Sequence, residues 1–473
     1  MIEGVLILNR KLLFFNLKLN RDKFINTHFS TIQIIFSYYV IMTFVAFILL
    51  NLSFFQKPGA SVSFFDTFFM AVSTVSVTGL STFNIHEVYN QRGIVLLEIM
   101  FQIGGLGIMM FSTFFFILSR RKVSLKQRQL IMTDMNQPRL SGTVRLIKNT
   151  VFTLVIIQLL FGIIFAIRFY VKGLHPSIPD ALFNGFYQSI SAVTNSGFDV
   201  TGESATPYAN DYLFIFILIF LIMIGGIGFP VLMEVKDWLM SKRQNRRYPF
   251  RFSLFSKLAI SMYLMLFVSG AVFIYLLERH HLFADMSPIK QLANSLFYSA
   301  TTRNAGLQLN DLSLFQTPTL LLFSVLMFIG CSPSSVGGGV RTTTVAIVGL
   351  YMLSFIKGEE NVNIFSRRIN KLDIQKAVIV LNLSLTMCFI ATLVLAITEN
   401  HSLISIIVEV ASAFGTTGLS LGITADLTTI GKIIIALLMF IGRIGMLYTL
   451  MIFVPKERQD QGYLYPTEQI IIG

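Results

Sequence analysis

Charge is scarce in this chain of 473 residues. Asp, Glu, Lys and Arg together make up only 13% of it, and the mean hydropathy is +0.70. Soluble domains carry about twice that share of charge, so a soluble globular protein is excluded and an integral membrane protein is expected. Cysteine is nearly absent as well. Cys331 and Cys388 both fall in apolar stretches, which excludes zinc-type spacing, makes a structural disulfide an unlikely use and leaves the redox compartment open. The 12 prolines and 32 glycines are dispersed, so there is no low-complexity tract and no detachable soluble domain. Met1 to His28 carries charges throughout and lacks a small-residue cleavage site after an apolar core. It reads as an interfacial cytoplasmic helix, not a cleaved signal peptide.

What is present is apolar sequence in runs near the roughly 20 residues needed to cross a hydrocarbon core. They span Ile34 to Phe55, Ile94 to Leu118, Val151 to Val171, Tyr212 to Met233, Leu258 to Leu277, Thr319 to Phe355, Ala377 to Ile397 and Ile430 to Val454. These eight spans pair into four units. Between the members of each pair lies a semi-polar run too short to cross: Ser63 to Thr74, Asp180 to Val193, Pro288 to Thr301 and Leu403 to Phe414. Each is a candidate re-entrant pore helix.

The net charge is +13, and of the 37 Lys and Arg, 27 lie in the termini and the segments that join one pair to the next. By the positive-inside rule both termini are cytoplasmic and the four short helices open to the outside. That placement explains the basic excess without nucleic acid. Every unit has the same orientation, which argues against inverted-repeat secondary transporters. The expected organisation is a cytoplasmic arm at 1–33, repeat one at 34–118, then connector and repeat two at 119–240. Connector and repeat three, with an intramembrane loop, follow at 241–356, and connector, repeat four and tail at 357–473. The fold class is all-α integral membrane, with four span, pore-helix, span repeats around a pseudo-fourfold pore.

Each short helix ends in a tetrad that closes on glycine: Ser76-Val77-Thr78-Gly79, Thr194-Asn195-Ser196-Gly197, Arg303-Asn304-Ala305-Gly306 and Gly415-Thr416-Thr417-Gly418. The glycines are 118, 109 and 112 residues apart, and a glycine-containing motif follows each after 24 to 28 residues. A repeat of this length is one structural unit used four times. A dehydrated cation needs oxygens in place of its water shell, and a ring of backbone carbonyls supplies them. Glycine permits the backbone conformations that aim them at one axis, and the C-terminal ends of the four helices add negative potential there. The tetrads are therefore the candidate selectivity filter. A cationic side chain on the axis would repel cations, so Arg303 is expected to turn away. Glu409 is a possible partner, although an ordinary interfacial carboxylate is the plainer reading.

The sixth span is 37 residues long, and its middle runs Gly330-Cys331-Ser332-Pro333-Ser334-Ser335-Val336-Gly337-Gly338-Gly339. Such a sequence does not hold a regular helix. Non-helical backbone at this depth is tolerated where it lines a watery cavity, so Gly330, Cys331, Ser332, Pro333, Gly337, Gly338 and Gly339 form a candidate gate beneath the filter. The alternative is a long cytoplasmic excursion. Arg341 and Thr342 to Thr344 lack the Lys-Ser/Thr ending and preceding strand of a phosphate loop. Arg443 lies within the last span, where a charge faces a polar interior or snorkels to the interface. The first reading makes it an electrostatic barrier below the filter, with loop carbonyls or hydroxyls such as Ser332 as neighbours.

These residues resemble the Trk/Ktr/HKT superfamily, and among its branches the KtrB-type potassium uptake subunit. The resemblance covers nearly the whole chain. It rests on the four tetrads, Gly104-Gly105-Leu106-Gly107, Gly225-Gly226-Ile227-Gly228, the Ser332-Pro333 and triple-glycine loop, Gly442-Arg443-Ile444-Gly445 and the ending Tyr465-Pro466 to Gly473. It implies channel-like, sodium-dependent potassium uptake across the plasma membrane by a homodimer with one pore per subunit. It also implies a cytosolic nucleotide-binding regulatory ring that holds ATP or ADP, while this chain carries no cofactor. In that family four filter glycines go with potassium and serine at the first with sodium; Gly79 matches potassium. The family loop reads Gly-Gly-Ser-Pro-Gly-Ser-Thr-Gly-Gly-Gly, whereas Cys331, Ser334 and Val336 stand here for a glycine, a glycine and a threonine, which stiffens it. The alternative is a sodium or poorly selective monovalent cation transporter. An enzyme is not expected, because no His or acid cluster recurs on one span, and a purely structural role gives no reason for four tetrads in register.

Overall fold

A computed structural model describes residues 30–119, 123–134, 142–175, 177–199, 202, 204–243, 250–452, 466 and 468. The N-terminal arm up to residue 29, and all of the Tyr465 to Gly473 ending except Pro466 and Glu468, lie outside the described residues.

The chain repeats one pattern four times: a long helix, a short helix, and a second apolar helix that breaks. Repeat one comprises α1 (Thr31–Leu50), α2 (Phe64–Ser76), α3 (Gln91–Leu106) and α4 (Ile108–Leu118), after which α5 (Leu125–Asp134) leads on. Repeat two comprises α6 (Thr143–Val171), α7 (Ile178–Thr194), α8 (Tyr212–Gly226) and α9 (Phe229–Arg243). In repeat three these are α10 (Leu254–Glu278), α11 (Pro288–Thr301), α12 (Thr317–Phe328) and α13 (Thr342–Ile356). A small hairpin, β1 (Asn363–Ile364) with β2 (Arg367–Arg368), precedes α14 (Lys371–Thr398), α15 (Leu403–Gly415), α16 (Thr429–Ile444) and α17 (Met446–Ile452).

The first helices α1, α6, α10 and α14 are 20 to 29 residues long and apolar enough to cross a membrane. Their outer faces present Phe44, Ile48, Ile156, Ile163, Met265, Val272, Phe389 and Ile397. Serines and threonines such as Ser73, Thr74, Ser191, Ser299, Ser412 and Thr417 are instead fully buried. That is the distribution a lipid solvent selects, apolar outward and polar inward. The protein is a multi-pass, all-α integral membrane protein.

The short helices match the expected pore helices within a turn. All four start at a serine, and in three of them its hydroxyl accepts a first-turn amide, at Ser177, Ser287 and Ser402, the cap chemistry favoured at a helix start. Each packs against the first helix of its own repeat. Each also packs against the second helix of the preceding repeat: α3 on α7, α8 on α11, α12 on α15, and α16 back onto α2. The last pairing closes the circle.

The second spans correct the expectation. Three of the four read as continuous apolar runs, yet all four break. The α8 and α9 pair bends by 109° and the α16 and α17 pair by 97°, and α3 likewise ends at a turn into α4. The last glycine of each motif makes the turn, with φ of +88° at Gly107, +102° at Gly228 and +96° at Gly445. Hydropathy runs straight through such a break because one glycine scarcely lowers it. Only in repeat three does the interruption lengthen into a non-helical segment, residues 329–341.

Close helix approach holds these layers together. In lipid the hydrophobic effect does not drive helices together, so small residues that let backbones touch take its place. Gly104, Gly225 and Gly442 each put their α-carbon against a carbonyl near the end of a pore helix, Val75, Val193 and Phe414 respectively.

Candidate cation site at the fourfold axis

At the end of each pore helix the chain turns into a left-handed conformation and then into a second one. The first falls on Val77, Asn195, Asn304 and Thr416, with φ of +58°, +52°, +77° and +53°. The second falls on Gly79, Gly197, Gly306 and Gly418, with φ of +91°, +68°, +68° and +94°. Between them, the amides of Thr78, Ser196 and Thr417 donate back to Ser73, Ser191 and Ser412 of their own helices at 2.9, 3.0 and 2.8 Å. In repeat three the amide of Ala305 donates to Thr301 at 2.9 Å. A trans peptide sets its carbonyl opposite its amide, so the carbonyls of Val77, Asn195, Asn304 and Thr416 point away from the helix carbonyls that accept those amides. Val77 and Thr416 are β-branched, and such residues at φ > 0 store about 1–3 kcal/mol of strain each. Strain of this kind persists where surroundings impose it.

The four glycines interlock. A β-carbon on Gly79 would collide with the Ser196 carbonyl and lie 3.1 Å from the Gly197 α-carbon. One on Gly197 would lie 2.9 Å from the Ala305 carbonyl and 3.2 Å from the Gly306 α-carbon. One on Gly306 would meet the Thr417 carbonyl and Gly418, and one on Gly418 would meet the Thr78 carbonyl and Gly79. The succession 79, 197, 306, 418 and back to 79 is a closed ring of four backbone segments. It has room for no side chain.

Directly beneath lies the segment 329–341. Breaking a helix leaves its last carbonyls without intrahelical partners, and here the breaks converge on this segment. The amides of Ser332 and Val336 donate to Gly226 and Gly225 at the end of α8, at 3.0 and 3.2 Å. The amide of Gly339 donates to Gly442 of α16 at 3.3 Å, and that of Val340 to Phe328 of α12 at 3.1 Å. The end of α3 is served by Arg443, whose guanidinium donates to Gly104, to Gly105 at 3.1 Å and to the Val336 carbonyl. Arg443 is 6% exposed and does not snorkel. Ser332 is not among its hydrogen-bond partners; its hydroxyl pairs with Thr342 at 3.0 Å.

The segment also touches the tetrads of repeats three and four. The amide of Gly338 donates to the Thr416 hydroxyl at 2.8 Å, and the Cys331 thiol donates to the Arg303 carbonyl at 3.3 Å. Gly337 leaves space for the Asn304 side chain, whose amide donates to Gly415 and, at 3.1 Å, to Thr416. The segment therefore contacts repeats two, three and four directly, and repeat one through Arg443. Below it a cavity of about 620 Å³ is lined by Arg341, Arg443, Pro333, Tyr39 and Asp373 among others.

Comparison with known proteins decides what this assembly belongs to. The family described as TrkH, cation transport protein, matches residues 13–462. The chain belongs to that family.

Within the wider Trk/Ktr/HKT superfamily this TrkH-family chain is of the Ktr type. It is 45% identical over 444 residues to the Ktr system potassium uptake protein D of Bacillus subtilis, covering 94% of this chain and 97% of that one. It is 32% identical over 462 residues to the potassium/sodium uptake protein NtpJ of Enterococcus hirae, 95% and 99% of the two chains. The crystal structure of the potassium transporter TrkH from Vibrio parahaemolyticus superposes with a TM-score of 0.68 at 16% identity, over 90% of this chain and 86% of that one, and so shares the fold. This TrkH-family member is a transport protein, not an enzyme.

Two charged residues beside the ring differ from expectation. Arg303 does turn away from the axis, but its partner is not Glu409. Its guanidinium lies 3.8 Å from the centre of the Tyr263 ring on α10 and donates to the Tyr263 carbonyl at 2.7 Å. Glu409 is not interfacial either. It is fully buried and accepts from the hydroxyls of Ser420 and Thr424 at 2.7 and 2.5 Å. Sequence reasoning missed Tyr263, Ser420, Thr424 and the helix-end carbonyls of Gly104 and Gly105. A polar residue in place of hydrocarbon, as at Glu409, was the one available signal.

Proposed function

We propose that this chain is a channel-like potassium uptake subunit of the plasma membrane. The observation that carries the reading is the closed ring of four left-handed glycines, each too close to the next segment's carbonyl to bear a β-carbon. Such a ring presents carbonyl oxygens to a dehydrated monovalent cation. The names of relatives that match over most of their length, a Ktr potassium uptake protein and a potassium/sodium uptake protein, support potassium as cargo. The filter is Ser76 to Gly79, Thr194 to Gly197, Arg303 to Gly306 and Gly415 to Gly418. The gate is the 330–339 segment with Arg443: while its amides and Arg443 cap the four broken helices it occupies the path below the filter.

Sodium dependence, cytoplasmic termini, a homodimer and a cytosolic nucleotide-binding ring complete the reading and rest on the resemblance to Ktr subunits. The alternative, a poorly selective sodium or monovalent cation pathway, draws on the potassium/sodium name of the Enterococcus hirae relative. Growth rescue of a potassium-uptake-deficient strain at micromolar potassium, with the partner ring co-expressed, tests the proposal. Rescue supports potassium uptake, and failure with membrane-inserted protein counts against it.

A further inference from the structure

Each filter segment is fastened to its own pore helix by different side chains. In repeat one the Ser76 and Thr78 hydroxyls pair at 2.7 Å. In repeat two the Ser191 hydroxyl meets Ser196 at 2.8 Å and donates to Phe198 at 3.0 Å. In repeat three Thr301 donates to Leu307 at 2.7 Å, and the Tyr298 hydroxyl accepts the amides of Leu309 and Asn310 at 3.2 and 2.8 Å. In repeat four Ser412 accepts the Gly418 amide at 3.0 Å. Beyond that point the fastening is a carboxylate. Glu409, fully buried on α15, takes one hydroxyl on each oxygen, from Ser420 and from Thr424. Ser420 in turn accepts the Gly422 amide at 3.1 Å.

This arrangement is chemically directed. One hydroxyl reaches each Glu409 oxygen, and the Thr424 hydroxyl also lies 3.0 Å from that of Ser420, so the three side chains form one network. Among the described residues Glu409 has no basic side chain within 4.0 Å, so these hydroxyls are what hold it. The segment it grips begins two residues after Gly418, which is packed against Thr78 and Gly79.

We propose that Glu409 is a positioning residue for cation discrimination: it clamps residues 418–424 through Ser420 and Thr424 and so fixes the fourth filter segment at the width that favours potassium over sodium. In repeat two a carboxylate also acts beyond the ring, where Asp199 accepts the Ser204 amide at 2.9 Å, but Asp199 lies on the segment itself, whereas Glu409 reaches the fourth segment from its pore helix. The inference rests on the reading of the ring as a potassium filter.

The test is competitive uptake of rubidium and sodium into proteoliposomes, normalised to folded protein, for wild type, Glu409→Gln, Glu409→Ala, the double variant Ser420→Ala with Thr424→Val, and that double variant with Glu409→Gln. The expected result is a fall of about tenfold in selectivity, equal to about 1.4 kcal/mol, for each Glu409 variant and for the double. Adding Glu409→Gln to the double then costs little more, because members of one network are not additive. Wild-type selectivity in folded Glu409→Gln, or in the double, overturns the clamp, as do fully additive losses. A merely structural role lowers the amount of folded protein and leaves the selectivity of what remains untouched. If Glu409 variants do not fold, the double decides alone. If wild type itself does not discriminate, the potassium reading fails and not the clamp.

Discussion

The Arg443 guanidinium on α16 donates to the main-chain carbonyl of Val336, 107 residues away in sequence, and so ties the fourth repeat to the segment beneath the glycine ring. The same side chain caps the end of α3 through Gly104 and Gly105. It is thus a clip across repeats one, three and four, and not only a positive charge near the axis. A charge-assisted hydrogen bond is worth about 1.5–3 kcal/mol, and each 1.4 kcal/mol is about tenfold in an equilibrium. Arg443→Gln is therefore expected to free the segment and raise rubidium uptake about tenfold in the absence of any cytosolic partner. An unchanged rate in folded protein would show that the clip does not hold the path closed.

At Gly79 the carbonyl of Ser196 occupies the place of a β-carbon, so Gly79→Ser must displace the neighbouring segment. The expected outcome is a loss of potassium preference over sodium with the protein still in the membrane. Overpacking costs about 1–3 kcal/mol, so a fall in thermal stability should accompany it. Unchanged selectivity, measured by competitive uptake, would remove Gly79 from the ion path.

The ring and its helices were legible before any coordinates because they repeat. Four glycines in register, four short semi-polar runs and the glycine-rich segment after Phe328 are local patterns, and each fell where expected. The breaks at Gly107, Gly228 and Gly445 were not legible, since an apolar run looks the same whether or not it bends once. Arg303 and Glu409 show the other limit. Their sequence neighbourhoods fix only that a charge is buried, whereas the partner is chosen by helices distant in sequence, Tyr263 for one and Ser420 with Thr424 for the other.

Arg303 stands over the Tyr263 ring, while the Tyr263 hydroxyl is buried and makes no hydrogen bond. Tyr263→Phe keeps the ring and removes an unsatisfied polar atom, so melting of the purified protein should be unchanged or slightly higher. Tyr263→Leu removes a cation–π contact worth about 2 kcal/mol when desolvated and should melt markedly lower. Equal melting of both variants would show that the ring face is not what holds Arg303.

The seam between repeats four and one carries a part-buried ion pair, Lys432 on α16 with Asp66 at the start of α2, at 2.7 Å. A double-mutant cycle with Lys432→Met and Asp66→Asn is expected to give a coupling of about 0.5–1 kcal/mol, because neither group is fully desolvated. A coupling of zero in unfolding measurements would mean that packing of α16 on α2 alone closes the circle.

Four backbone segments that converge on one axis should bind the transported ion there. Anomalous diffraction from crystals grown with rubidium tests it most directly. A peak is expected on the axis within the ring formed by residues 77–79, 195–197, 304–306 and 416–418, lost on exchange of rubidium for a cation that is not transported. A protein that transports rubidium while showing its ordered ion elsewhere in the bundle, with the ring empty, would contradict it.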